Sequence, residues 1–360
     1  MPTYVPYSDA IEVIQPREEE ISNEIVESMA RINRLMFDKY RHAIRDAHAK
    51  SHGILKAELH VYPNLPEPLA QGVFREPRTY PVIVRFSTAP GSIQPDGVGA
   101  PQGMALKLVG VEGPKFLPEE ADAVTQDFLL VNNPVIPFGT IYQYLDQQKT
   151  LEREAKSPEE MQKLIAQAGR TANKVLDALG IQKEIAGVQV KHILGETFFS
   201  MAALRYGDYV AKVRATPLST SVKLLTGEEI DTSNHDSAIR DAVVKFFKKQ
   251  SAEYEIQVQL CTDLQTMPVE DGSVEWPQQQ SPYQPVARLV IPAQEAYSPA
   301  RRVYADDVLS FNPFHCLPEH RPLGNIMRIR RKAYEVSSQY RHHMNAQPRL
   351  EPRSIEDLPD

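Results

Sequence analysis

Arg330, Tyr334 and Arg341 are spaced i, i+4 and i+11 along Arg330-Arg331-Lys332-Ala333-Tyr334-Glu335-Val336-Ser337-Ser338-Gln339-Tyr340-Arg341. On a helix of 3.6 residues per turn those side chains project from one stripe. A guanidinium one turn from a phenol favours the phenolate, because a nearby cation stabilises the charged form. A phenolate is a hard, anionic ligand for ferric iron. Taken alone, such a stripe is ordinarily a solvated helix face with a half-buried ring, so its meaning depends on the rest of the chain.

Three further places carry polar residues that packing does not require. Arg45-x-x-His48-Ala49-Lys50 sits just past a helical stretch, and an imidazole there suits acid–base work because it titrates near neutrality. Arg85 interrupts the apolar run Pro81–Thr88, with Ser87 two residues on, and Asn132 closes the apolar run Phe128–Val131. Each has an ordinary explanation: an edge-strand arginine, or an amide in a turn before Pro134. His48 and His52 have the i, i+4 spacing of a zinc pair, but no Glu follows His48 and no third ligand is evident. Dinucleotide, P-loop and nucleophile-elbow patterns are absent.

The elements that must position these groups can be read from periodicity. Ile21, Ile25, Met29, Ile32, Leu35, Met36 and Tyr40 recur at three- and four-residue steps, which predicts a helix from Glu18 to about Ala47. The period then becomes two. Strands are predicted at Leu55–Val61, Pro81–Thr88, Gly103–Val109, Phe128–Pro134, Glu196–Ala203, Tyr209–Ala215, Glu255–Cys261 and Val286–Ile291. Residues 139–186 read as helical, with Tyr142, Leu145, Leu164, Ala168, Val175 and Leu179 inward. From Pro299 the chain is helix and loop. The expected fold is α+β: an antiparallel β-barrel of about eight strands with an N-terminal helix and C-terminal helices. Residues 1–20 form an arm, 21–346 a single domain, and 347–360 a loose tail.

Composition narrows the function classes. The 360 residues are 42% hydrophobic and 24% charged, which is ordinary for a globular chain with an ample core. A net charge of −7 gives no global field for nucleic acid, and the short basic blocks at 245–249 and 328–332 are interrupted. Two cysteines, Cys261 and Cys316, make no framework. Without a membrane span or a signal-peptide pattern, a cytoplasmic protein is expected.

Together, the four polar places resemble the catalase family. Arg45-Asp46-Ala47-His48-Ala49-Lys50 is similar to its Arg-x-x-His-Ala-Lys, Val84-Arg85-Phe86-Ser87-Thr88 to its Val-Arg-Phe-Ser-Thr, and Gly103-Met104-Ala105-Leu106-Lys107 to its Gly-Phe-Ala-x-Lys. Leu130-Val131-Asn132-Asn133-Pro134 resembles the Asn-bearing distal strand. Trp276-Pro277 and Pro285–Val290 resemble the run into the last barrel strand, and Leu309-Ser310-Phe311-Asn312-Pro313 resembles Leu-Ala-Phe-Ser-Pro. Counting on brings the proximal Arg-x-x-x-Tyr motif onto Arg330 and Tyr334, with Arg341 seven residues later. The likeness spans about 45–341 and is nearest to the short catalase-related proteins, which lack the flavodoxin-like domain of large catalases.

That resemblance implies a haem b enzyme cleaving the O–O bond of a peroxide or organic hydroperoxide. Tyr334 would be the axial ligand to the haem iron, kept ionised by Arg330. Arg45, Arg85 and Arg341 would bind the propionates. His48 would move the peroxide proton, Asn132 would orient the peroxide, and Ser87 would fix the imidazole. It also implies a homo-oligomer, since the N-terminal arm resembles those that wrap partner subunits. Departures fall at Gln102, at Ile136 and Pro137, and at Glu335 and Val336, so the distal pocket and its approach should differ from those of true catalases. Two alternatives follow: a fatty-acid hydroperoxide isomerase or lyase on the same scaffold, and a haem carrier or sensor with little turnover. His315 and Cys316 are the rival axial ligands.

Overall fold

The computed structural model describes residues 3–156, 190–233 and 235–360. The first long helix, α1 (Glu18–Tyr40), buries Ile21, Ile25, Ile32 and Met36 along one face. Glu18, Glu19 and Glu20 occupy its first turn, where negative charge complements the helix dipole. It stops at Tyr40, short of the Ala47 expected from periodicity. Arg41 adopts a left-handed conformation, φ 53°, and its N–H closes on the Phe37 carbonyl at 2.7 Å. Residues 41–49 are thereby freed as a connector, and Arg45, Asp46 and His48 ride on it.

The strands are β1 (Lys50–Val61), β2 (Thr79–Thr88), β3 (Gln102–Val109), β4 (Thr125–Val131), β5 (Phe198–Phe199), β6 (Leu204–Tyr206), β7 (Tyr209–Pro217), β8 (Ala252–Leu260) and β9 (Gln284–Ile291). Neighbours run β5-β4-β3-β2-β1-β9-β8-β7, and β5 pairs with both β4 and β7, so eight antiparallel strands close into a barrel, with β6 paired to β7 outside the ring. With its flanking helices this is the α+β barrel that the alternation implied. The predicted strand at Glu196–Ala203 contracts to two residues.

Period-two alternation decides where the site lies. Along β2, Tyr80, Val82, Val84 and Phe86 join the barrel core with Met104, Leu106 and Leu108 of β3 and Phe128 and Leu130 of β4. Ile83, Arg85 and Ser87 therefore face outward, as do Ala105, Lys107 and Leu129. The barrel is a filled scaffold, and its outer β1–β4 face is covered by the C-terminal segments. There Ile54 and Ile83 pack with Ala305, Leu309, Phe311 and Leu358. The helix α2 (Ile141–Ala155) starts at a Thr140/Gln143 capping box. Of its expected inward residues, Leu145 packs against an apolar cluster but Tyr142 is exposed, while neighbouring Tyr144 takes the inward place. Leu164, Ala168, Val175 and Leu179 lie outside the described residues. The last long helix, α4 (Asn325–Met344), follows α3 (Ala238–Phe247).

The terminal segment, expected to be a loose tail, packs on the barrel. Leu358 is fully buried, and Glu351 lies 2.7 Å from Lys107, which is itself fully buried beside Asp127. Lys107 and Asp127 face one another across β3 and β4. At the N-terminus, Val5 and Tyr7 donate to Cys261 and Asp208 of the same chain. Removing one partner from a buried ion cluster strands the other charges. Lys107→Ala should therefore lower unfolding stability by about 3 kcal/mol or more. Urea unfolding monitored by circular dichroism checks this, and a midpoint equal to wild type would refute it.

Candidate active site

One cavity, of about 270 Å³, lies between the outer face of β2–β4, the 45–48 connector and α4. Arg45, His48, Arg85, Ser87, Arg330, Tyr334 and Arg341 all line it. Arg330, Ala333, Tyr334, Ser337 and Arg341 come from one stripe of α4, so the i, i+4, i+11 spacing acts as read.

On α4 the Arg330 guanidinium donates to the Tyr334 hydroxyl oxygen and lies 5.1 Å from the ring centroid. Burial works against the Arg330 charge, but the Tyr334 and Tyr144 oxygens outweigh it and raise its pKa. Tyr144, stacked on Phe138 at 4.7 Å, is pushed up to about 12 by burial and so is a neutral phenol.

Across the cavity His48 has φ 54°, the left-handed region that a side chain rarely adopts. Its N–H donates to the Ala89 carbonyl and its carbonyl accepts from Arg85, which holds the backbone in place. Its Nδ1 lies 3.0 Å from Ser87 Oγ. Nε2 has no hydrogen bond from the described residues. Desolvation first, and then Arg85, Arg330 and Arg45, push the His48 pKa down to about 3, so the ring is neutral.

Gly103 makes room for that ring. A Cβ at this position would sit 2.6 Å from His48 Cε1 and 2.7 Å from Nδ1. Gly103→Ala must displace the imidazole from Ser87. We expect it to cut any His48-dependent rate by about tenfold or more while leaving the α4 wall intact, since small displacements of a positioned group cost that much. Stopped-flow peroxide kinetics checks this, and unchanged rates would refute it.

Three arginines form the third wall. Arg45 donates to Asp306 Oδ1 at 3.1 Å and to the Leu309 carbonyl at 2.9 Å. Arg85 also reaches Asp306 Oδ1, at 3.1 Å. Arg341 donates to the Asp306 and Leu309 carbonyls and to Ser310 Oγ. Arg85 and Arg341 are buried, yet Asp306 is the one carboxylate bonded to this trio among the described residues, and Arg85 Nε has no partner. Burial lowers the pKa of Arg45 and of Arg341, and each feels its cationic neighbours; Arg341 is pushed down to about 10. A π-helical turn at Tyr304–Val308 presents Asp306 to them.

Asn132 is not brought to this cavity. Its Oδ1 accepts from the Gln102 N–H at 2.8 Å and its Nδ2 donates to Glu196 at 3.0 Å, so the amide is spent tying the β3 and β4 ends together. The amide expected to orient a ligand is thus turned into a neighbouring pocket, and the wall beside Val131 is instead formed by Ile136, Pro137 and Met201. His315 and Cys316 are also elsewhere. His315 is buried 2.9 Å from Glu120 and 3.2 Å from Asp127. Burial opposes its charge, but Glu351, Asp127 and Glu120 push its pKa up to about 9. Cys316 is buried, and burial raises its thiol pKa. His52 is buried against Thr88. No group of three or more His, Cys, Asp or Glu among the described residues is arranged to hold a metal ion.

Sequence reasoning missed Asp306, Asp46 and the role of Gly103. Asp46 lines the cavity and accepts from Ser337 Oγ at 2.7 Å, and burial raises its pKa. The acidic doublet Asp306-Asp307 upstream of Leu309-Ser310-Phe311 was the available signal for the first, but no fixed spacing connects it to Arg45 or Arg85.

No protein-family model and no curated protein sequence matches this chain. Its fold, however, is that of catalases. A fungal catalase superposes with a TM-score of 0.58 at 17% identity, covering 85% of this chain and 60% of its own. Catalase A from Saccharomyces cerevisiae gives 0.58 and 17%, covering 90% of this chain and 68% of its own. A bacterial catalase gives 0.57 and 17%, covering 89% and 60%. The chain thus spans about 60% of the length of the fungal and bacterial catalases. No helix among the described residues is long and apolar enough to cross a membrane.

Proposed function

We propose that this protein is a haem-dependent enzyme that metabolises peroxides. The observation that carries the reading is the convergence, on one cavity of a catalase-like barrel, of a Tyr–Arg pair, a neutral histidine and three arginines. The residues present fit haem. Three buried or half-buried guanidiniums with one bonded carboxylate, Asp306, which only Arg45 and Arg85 of the three reach, and a buried Nε lacking a partner form a cation surplus suited to two propionates. Tyr334, with Arg330 on its oxygen, suits a ferric ligand.

In this proposal Tyr334, with Arg330 on its oxygen, would hold the haem iron, and Arg45, Arg85 and Arg341 would bind the propionates. Bound haem b would supply the ferric centre at which an O–O bond is cleaved. His48, fixed through Nδ1 by Ser87, takes the peroxide proton on Nε2 and gives it to the departing oxygen. A neutral ring is the competent form for the first half of that transfer. Asn132 acts as a positioning residue for the β3 and β4 ends. By extension of the same reading, the chain works as a homo-oligomer.

The distal wall favours a second reading, that the peroxide is an organic hydroperoxide. With the Asn132 amide spent, Val131, Ile136, Pro137 and Met201 offer an apolar approach that suits an alkyl chain better than a small polar molecule. The visible spectrum of the purified protein, with and without added haem, tests the first reading. A Soret band with high-spin ferric features is expected, and failure to bind haem would overturn it. Turnover then tests the second. Faster consumption of cumene hydroperoxide than of hydrogen peroxide is expected, and rapid oxygen evolution from hydrogen peroxide would overturn it. A Soret band with no turnover of either would indicate a carrier.

A further inference from the structure

A second pocket, of about 200 Å³, adjoins the first at the ends of β2, β3 and β4. Consecutive residues divide between the two. Ala89, Gly103 and Val131 line the cavity that holds His48, and Thr88, Gln102 and Asn132 line the pocket beyond. The wall between them is therefore a single layer of strand ends. Val131 pairs with Gly103, the residue packed against the His48 ring. Asn132 thus stands one Cα step, about 3.8 Å, from the edge of the His48 cavity.

One carboxylate holds the Asn132 amide on the far side. Asn132 Nδ2 donates to Glu196 Oε2 at 3.0 Å, and Glu196 takes no other side-chain donor among the described residues. That bond is charge-assisted, a class about twice as strong as neutral ones. The amide's other bond, Oδ1 to the Gln102 N–H at 2.8 Å, is neutral and adds to the Asn132 N–H bond with the Gln102 carbonyl at 2.9 Å. Glu196 is itself held in place by the backbone before it. It follows the turn Ile193–Gly195, whose residues are all buried. The Leu194 carbonyl accepts from the Tyr254 hydroxyl at 2.7 Å, and a Cβ at Gly195 would lie 2.3 Å from the Leu225 carbonyl oxygen. The carboxylate is therefore presented from a packed turn, as a group that positions another must be.

We propose that Glu196 is a specificity-determining residue that acts through Asn132. By holding the amide in the second pocket, it leaves the rim beside His48 apolar and so selects organic hydroperoxides over hydrogen peroxide. The inference rests on the peroxide reading and names the group that sets its substrate preference. Hydrogen peroxide is polar at both ends and gains from each donor near His48. An alkyl hydroperoxide is polar at one end only. Its alkyl chain would desolvate an amide on the rim and leave it without a partner, which is costly. In the wild type Glu196 removes that cost, because the amide is already satisfied elsewhere. Once Glu196 cannot accept, Nδ2 is left unpaired, and a peroxide oxygen in the adjoining cavity becomes the acceptor that satisfies it.

The test compares kcat/KM for hydrogen peroxide with kcat/KM for cumene hydroperoxide. Their ratio should rise by about tenfold in Glu196→Met, which removes the acceptor at similar length, the change expected of one hydrogen bond to substrate. Glu196→Ala, which adds no bulk at this half-buried position, should do the same. Glu196→Gln keeps a carbonyl oxygen for Nδ2 and should hold the wild-type ratio. Adding Asn132→Leu to Glu196→Met should cancel the rise, since the effect passes through the amide. A second readout needs no turnover. In purified protein labelled with ¹⁵N-asparagine, the side-chain amide signal that Asn132→Leu deletes should be protected from solvent exchange in wild type and in Glu196→Gln, and should lose that protection in Glu196→Met. An unchanged ratio in both Glu196→Met and Glu196→Ala, or a rise that survives the loss of Asn132, overturns the role of Glu196 alone. Absence of a Soret band from the wild type overturns the haem reading and this specificity with it.

Discussion

Tyr334→Phe should not retain haem. The substitution deletes one oxygen, the one that accepts from Arg330, and leaves the ring's packing on α4 in place. In the proposed arrangement that oxygen would hold the iron, so purified protein should carry a Soret absorbance at least about tenfold weaker per chain than wild type. A second effect accompanies the loss. Arg330 would keep Tyr144 and Asp46 nearby, but its nearest hydrogen-bond acceptor would be gone. An unmade hydrogen bond on a buried charge costs about 1–3 kcal/mol. Circular dichroism and a thermal melt must therefore accompany the spectrum, so that lost ligation is separated from lost folding. A folded Tyr334→Phe protein with full loading and an unchanged spectrum would move the ligand elsewhere. Neither rival offers an easy replacement. His315 is held in a cluster with Lys107, Asp127, Glu120 and Glu351, and Cys316 is buried beside it, both outside the cavity lining. The same comparison bears on Arg330. Its Tyr334 bond is local to one helix, so the pair survives whether or not a ligand is bound, as preorganisation for iron requires.

Local periodicity made most of the scaffold legible in the sequence. Alternation along Val82–Ser87 put Arg85 and Ser87 on one face of β2, and the same rule leaves Gly103 and Ala105 on the matching face of β3. Helical spacing carried Arg330, Tyr334 and Arg341 to one side of α4. Where prediction departed from structure, the cause was a non-periodic event. The end of α1 depends on the left-handed turn at Arg41, which no hydrophobic pattern announces, since Ala43 is buried just beyond it. Asn132 sits at the end of β4 as expected, but whether an amide faces a ligand or bonds its neighbour depends on partners distant in sequence. Gln102 and Glu196 win that competition here. Asp306 was illegible for the same reason. Its role exists only because a π-turn brings it between Arg45 and Arg85, residues more than two hundred positions away. Thus the groups supplied by a single regular element could be read in advance. The acceptors that balance them could not, because burial and long-range closure decide their partners.

His48→Ala should leave haem loading intact and lower the peroxide rate by about 10²–10⁴, the range for loss of a positioned general base. No hydrogen bond among the described residues joins the ring to Tyr334 or to the Arg45–Asp306 contact, so the walls proposed to hold haem keep their own contacts in the variant. Its pH behaviour distinguishes this role from a packing one. In the wild type, desolvation and the flanking arginines put the His48 pKa near 3. The neutral ring then persists through the physiological range, and kcat/KM should be flat between about pH 5 and 8 with no histidine limb. Stability carries the opposite signature. Because the folded pKa lies below the unfolded value of 6.5, the unfolded chain binds the extra proton. The contribution is therefore fully present above pH 6.5 and lost as pH falls from 6.5 towards 3. His48→Ala removes that term, so the variant's melting temperature should fall less steeply than wild type over the same window. His320, also pushed down to about 3 by burial, keeps part of the slope in both proteins. A rate equal to wild type would exclude His48 as the base, and His52, buried against Thr88 outside the cavity lining, could not replace it. A lowered rate with the same fall in melting temperature between pH 6.5 and 3 as wild type would mean instead that His48 acts in the reaction but is not the neutral, desolvated group that its surroundings require.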